Sequence, residues 1–190
     1  GGERDLPGVL GDLRQRTALV RGATHGTMLR NDNFDFARIG TFLERADNTA
    51  RILDVKYYVL LPSVMHVGSS LDNVQWETIL RSVSAQRAYR WLNSGRMDAR
   101  SIADFLILDD RFPRSLVFCY SRMRENLSEL AQLHGTEATC HEAMRAADIR
   151  LTGKTVEDIF EQGLHQFLLE FTAGNQALAG AIAEDYRFVA

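Results

Sequence analysis

Residues 33–60 read NFDFARIGTFLERADNTARILDVKYYVL. Within this stretch Ile39, Leu43, Ala46, Ala50, Leu53 and Tyr57 recur every three or four residues. That spacing places an apolar stripe on one face of an α-helix. At about 1.5 Å per residue such a helix is on the order of 40 Å long. Asn31 and Asp32, which suit turns and caps, precede it. Pro62 follows it and opens a loop over residues 63–71, with Gly68, Ser69 and Ser70 at its centre. A helix of this length needs neighbours to cover its stripe, so the rest of the chain is read for elements of the same kind.

Helical periods cover most of what remains, and no alternating run of β-branched residues marks a strand. A first helix is expected over about residues 7–30, carrying Leu10, Leu13, Thr17, Val20 and Met28. Gly22 and Gly26, four apart, leave one of its stripes bare. After the loop, Asp72 and Gln75 have capping-box spacing. They predict one helix to Ser94 and Gly95, with Trp76, Leu80, Val83, Arg87 and Trp91 along one broad face and the two tryptophans read as core. A short helix is expected over 98–108. Asp109 and Asp110 cap the next, with Pro113 in its first turn and Cys119, Tyr120, Met123, Leu127 and Leu130 inward. Two more are expected over 136–151 and 155–188, the last marked by Phe160, Leu164, Phe167, Phe171, Leu178 and Ile182. The expectation is an all-α, up-down bundle of about five long and two short helices, forming a single domain over 1–190.

Composition agrees with a globular domain. The chain has 190 residues, 45% hydrophobic and 25% charged, with three prolines. Lysine plus arginine is 22 against 25 acidic residues, for a net charge of -3, which gives no basic footprint for nucleic acid. No apolar run approaches the roughly 18 residues that cross a bilayer. Cys119 and Cys140 read as buried free thiols, and a cytoplasmic setting is expected.

The chemistry-bearing residues form few patterns. Glu44, Arg45, Asp47, Asn48 and Arg51 crowd one part of the long helix. They suit either a grip on a polar ligand, a solvated surface, or a structural ion network. Asp47 and Arg51 have i,i+4 pairing distance, and Arg38 and Arg45 share another stripe. Adjacent helical residues point about 100° apart, so Glu44 and Arg45 do not aim at one spot. Arg111 and Arg114 flank Phe112 and Pro113 at a helix start, where cations oppose the dipole unless Asp109 and Asp110 pair with them. Glu137 with His141 and Glu161 with His165 are i,i+4 pairs, a weak metal signal. His25 and His66 stand alone. No Gly-x-Ser-x-Gly and no phosphate loop is present, and no cofactor is implied.

The stretch from Gly40 to Tyr57, built on Glu44-Arg45, resembles the bacterial Alpha-E family, an all-helical domain named for its Glu-Arg motif. Gly26-Thr27-Met28, Leu60-Leu61-Pro62-Ser63, Gln75-Trp76-Glu77 and the run from Phe105 to Ser115 look like the same family. Relatives carry an earlier helical segment with its own Glu-Arg motif, so this chain resembles a C-terminal portion. Many of them have Arg where Thr41 stands. The resemblance implies a setting beside a circularly permuted ATP-grasp ligase-like protein and a transglutaminase-like peptidase, in peptide or amide bond metabolism.

Two functions from different classes follow. One is a helical accessory or scaffold module for the ATP-grasp system, which an exposed apolar patch would favour. The other is an enzyme using Glu44 as acid or base, with Arg45 or Arg51 stabilising an anion. Candidate binding residues are Glu44, Arg45, Asp47, Asn48, Arg51, Arg111 and Arg114.

Overall fold

A computed structural model describes residues 5–59, 70–93 and 97–188. Among these residues every regular element is an α-helix, as the periodicity requires. They are α1 (Leu6–Thr27), α2 (Asp32–Val59), α3 (Ser70–Ser82), α4 (Gln86–Asn93), α5 (Ala99–Ile107), α6 (Leu116–His134), α7 (Thr139–Ile149), α8 (Val156–Gln162) and α9 (Leu164–Asp185). Most of the loop expected over 63–71, the helix stop at Ser94 and Gly95, and the Tyr57 side chain lie outside the described residues.

The long helix is the axis of the fold. Its stripe of Ile39, Ala46, Ala50 and Leu53 is buried at 0–1% exposure. It packs chiefly on α6 and then on α9, while α7 and α8 lie against α9 and α3 against α2. Ala46 and Ala50 leave room for a neighbouring helix, and larger side chains from α6 (Leu116, Tyr120, Met123, Leu127 and Leu130) fill the space. Polar ties fix the register. Thr49 Oγ1 donates to the Arg114 carbonyl at 2.8 Å. Asn175 Nδ2 on α9 donates to the Leu43 carbonyl at 3.1 Å, and Asn175 Oδ1 accepts from the Tyr120 hydroxyl at 3.3 Å.

Several boundaries differ from expectation, each for a local reason. The helix expected from Asp72 to Ser94 is two helices, α3 and α4. Ser84 takes the left-handed conformation at φ 57, and Ala85 N–H closes back on the Leu80 carbonyl at 2.7 Å. The break rotates α4, so Tyr89 is buried and Trp91 is 82% exposed, not core; Trp76 is buried as expected. Asp72 and Gln75 do not open α3, which begins at Ser70. Their oxygens accept from the buried Lys56 Nζ at 2.5 and 2.6 Å, tying α2 to α3.

The last expected helix also divides, into α8 and α9. Gly163 at φ +94 occupies a conformation open to glycine and strained for other residues. Helix α6 starts later than Asp109 and Asp110 predict. Ser115 is its cap, accepting from Phe118 N–H at 3.0 Å and donating to the Asp109 carbonyl at 2.5 Å. Pro113 therefore lies in the turn before the helix. No residue of α1 is buried, so the apolar positions that recur along it at helical spacing face outward.

Because Ala46 has no exposed surface, Ala46→Leu forces extra methyl groups between packed helices. It is expected to cost about 1–3 kcal/mol. Urea unfolding should show a lower midpoint with an unchanged slope; an unchanged midpoint would refute the close packing at this position.

Candidate functional site

Beside the buried stripe of α2 runs a second one of alternating rings and guanidiniums. Phe34, Arg38 and Phe42 are four residues apart, so each stands one turn above the last. The Arg38 guanidinium carbon lies 4.9 Å from the Phe42 ring centroid and 5.7 Å from that of Phe34. Arg45 lies 5.4 Å from Phe42, and Arg30 lies 3.9 Å from Phe34. On α6, Arg122 stands 5.0 Å from Phe118, whose ring is 6.0 Å from that of Phe42. Cation–π contacts of this kind hold a guanidinium by its face and leave its edge N–H groups able to donate.

These arginines keep each other's company. Burial, then the charge of Arg114, and beyond it those of Arg21 and Arg38, hold the Arg45 guanidinium below its ordinary range. Burial and then Arg122 do the same to Arg38, with Glu125 and Asp35 pulling the other way. Among the described residues, the only hydrogen bond from Arg45 runs from Nη1 to the Pro113 carbonyl at 3.4 Å. Among the described residues, Arg21, Arg30, Arg38, Arg45 and Arg114 form no ion pair, whereas Arg51, Arg81, Arg90, Arg111, Arg122, Arg124 and Arg145 each have a carboxylate within 4.0 Å.

The end of α1 reaches this stripe. His25 Nε2 is 3.1 Å from Arg38 Nη1. A guanidinium only donates, so Nε2 accepts, the imidazole is neutral, and its proton sits on Nδ1. Burial first, then Arg38, Arg30 and Arg45, lower the His25 pKa.

The candidate residues are thus only partly brought together. Arg45 and Arg114 belong to the arginine cluster. Glu44 does not; it is exposed and accepts from Asn48 Nδ2 at 3.4 Å. Asp47 and Arg51 form a surface pair at 2.6 Å. One Asp47 oxygen, Oδ1, is buried without a hydrogen-bond partner among the described residues. Arg111 reaches the Asp109 carboxylate through its backbone N–H, Nε and Nη2, the pairing anticipated for that turn. The members missed by sequence are Arg21 and His25. Their one sequence signal is their i,i+4 spacing on α1, and nothing in it shows that α1 ends against α2.

Other groups are committed elsewhere. Burial pushes the Cys119 thiol up to about 12, against the pull of Arg45 and Arg114, so it is no nucleophile near neutral pH. Glu137 pairs with Arg145 at 2.8 Å. His141 accepts the Ala138 N–H at Nδ1 and reaches the Leu127 carbonyl from Nε2 at 2.9 Å. His165 Nδ1 is 2.6 Å from Asp54 Oδ1. Among the described residues no three His, Cys, Asp or Glu side chains gather as metal ligands, and no helix is long and apolar enough to cross a membrane.

Comparison with known proteins adds one finding. Residues 3–187 match Alpha-E, described as a predicted alpha-helical domain with a conserved ER motif. No curated protein and no solved structure matches the chain.

The arginine cluster has a titration signature. The His25 imidazole should titrate below about 6.5, its ordinary value, in an NMR pH series. Between that midpoint and 6.5 the unfolded chain binds the proton more readily, so stability falls as pH drops through this window. Arg38→Gln should move the midpoint upward without fully restoring it, since burial remains the larger cause. A midpoint at or above 6.5 that ignores the substitution would contradict the arrangement.

Proposed function

The chain belongs to the Alpha-E family, and from that premise we propose that it is a helical accessory module for an ATP-grasp-type peptide or amide ligase system. In this reading α1 is the docking element and the ATP-grasp ligase-like protein is its partner. The transglutaminase-like peptidase that the family resemblance implies would act in the same system. The buried free thiols of Cys119 and Cys140 suit a reducing, cytoplasmic setting.

The observation that carries the proposal is the nakedness of α1. Leu6, Leu10, Leu13, Leu19 and Val20 are 55–74% exposed on a 22-residue helix with no buried residue. Helices in proteins draw most of their stability from packing an apolar face, and α1 packs none. Each interior glycine, Gly11, Gly22 and Gly26, costs about 1 kcal/mol relative to alanine. Apolar surface of this extent on a weak helix is what a partner's groove would cover.

The alternative of a stand-alone enzyme using Glu44 and Arg45 gains no support from the geometry. Acid–base chemistry by the pair needs both to converge on one reacting group. Glu44 is exposed beside Asn48, and Arg45 leans on Phe42 and the Pro113 carbonyl.

The test is calorimetric titration of this chain into an ATP-grasp ligase-like protein of the kind the family resemblance implies. A complex is expected, weakened at least tenfold by Leu10→Glu with Leu13→Glu. Absence of a complex, or one indifferent to those changes, would overturn the docking role of α1.

A further inference from the structure

Where the last turns of α1 meet α2 they form a cavity of about 240 Å³ that is open to solvent on one side. Its polar lining is Arg21, Thr24 and His25 from α1 and Arg38, Thr41 and Arg45 from α2, with the Phe42 ring between them. Among the described residues no carboxylate lines it. Asp35, Glu125 and Glu129 lie in an adjoining hollow on the other side of Arg38. The two threonine hydroxyls donate to carbonyls one turn back, Thr24 to Val20 at 2.9 Å and Thr41 to Ala37 at 2.7 Å. The groups left to donate are three guanidinium edges and His25 Nδ1–H.

A pocket that offers donors and positive charge, and holds no acid of its own, is complementary to an oxyanion. Three guanidiniums, those of Arg21, Arg38 and Arg45, converge on this lining with no carboxylate among its described residues. The aromatic faces of Phe34 and Phe42 preset the forks of Arg38 and Arg45, so little side-chain freedom remains to be lost on binding. The neutral His25 lines the same wall without adding a fourth cation, and its proton sits on Nδ1. The volume falls below the roughly 300–1,000 Å³ of drug-sized sites. It suits an anionic head and a few attached atoms.

We propose that this cavity binds a small oxyanion, a carboxylate or a phosphate, through Arg21, Arg38 and Arg45, with His25 as the accompanying donor. Arg45 of the Glu-Arg motif is a binding residue of this site, and Glu44 is not. All the named donors belong to this chain, and the proposal does not depend on α1 docking on a partner.

Two probes distinguish the sources of the anion: inorganic phosphate and free glutamate. Each is titrated by calorimetry into the protein at low ionic strength, with chloride held constant. Saturable binding of one probe is expected, weakening as salt is raised. Arg38→Gln and Arg45→Gln should each weaken it at least tenfold, while Arg51→Gln on the outer face leaves it unchanged. Preference for phosphate would assign a phosphoryl ligand, and preference for glutamate a carboxylate ligand. On the unmodified protein, the bound anion should raise the His25 titration midpoint by NMR, a readout that needs no variant to fold. No binding of either probe, binding equal in the Arg38 and Arg45 variants, or a His25 midpoint unmoved at saturation would overturn the proposal.

Discussion

Burial of one stripe of α2 against α6 and α9 is the constraint on which the rest of the structure depends. Ile39, Ala46, Ala50 and Leu53 have almost no exposed surface, and the two alanines define where the larger residues of α6 fit. Thr49 and Asn175 add hydrogen bonds that permit one rotation of α2 about its axis. Once that rotation is set, every other residue of α2 is assigned a direction. Arg38 and Arg45 fall on the edge that meets α1 and the start of α6. Glu44, Asn48 and the Asp47–Arg51 pair fall toward solvent. The two halves of the Glu-Arg motif are separated by helix geometry, and of the two only Arg45 lines the cavity between α1 and α2.

The cluster runs against ordinary folding economy. Like charges are gathered where some of their hydration is lost, and no acid among the described residues closes on Arg21, Arg38 or Arg45. Stacking on Phe34 and Phe42 offsets part of this, because a guanidinium is weakly hydrated and tolerates an aromatic face. Groups arranged at a cost to local electrostatics mark places where a ligand supplies the missing charge.

The all-helical class was legible because period 3.6 runs through nearly the whole chain, and α2 above all could be read residue by residue. The interruptions were not. Ser84 and Gly163 break helices whose apolar pattern continues across the break, and pattern alone does not register a single left-handed residue. Trp91 was misplaced for that reason: two residues of turn rotate α4 and send its ring outward. Asp72 and Gln75 have the spacing of a cap, but a buried Lys56 from another helix claims both. In the site, the shared stripe of Arg38 and Arg45 was visible at seven-residue spacing. Its completion by Arg21 and His25 depends on a tertiary contact across α1 and α2, which no local signal encodes.

The central claim is that Arg45 is held for binding and not for folding. Thermal unfolding by circular dichroism at low salt, comparing the parent with Arg45→Gln and Glu44→Gln, tests it most directly. Removing one of several mutually repelling guanidiniums should leave stability within about 1 kcal/mol or raise it, and Glu44→Gln should do nothing measurable. A fall of about 3–5 kcal/mol, the usual cost of breaking a buried ion pair, would show that the motif holds the bundle together and would contradict the account.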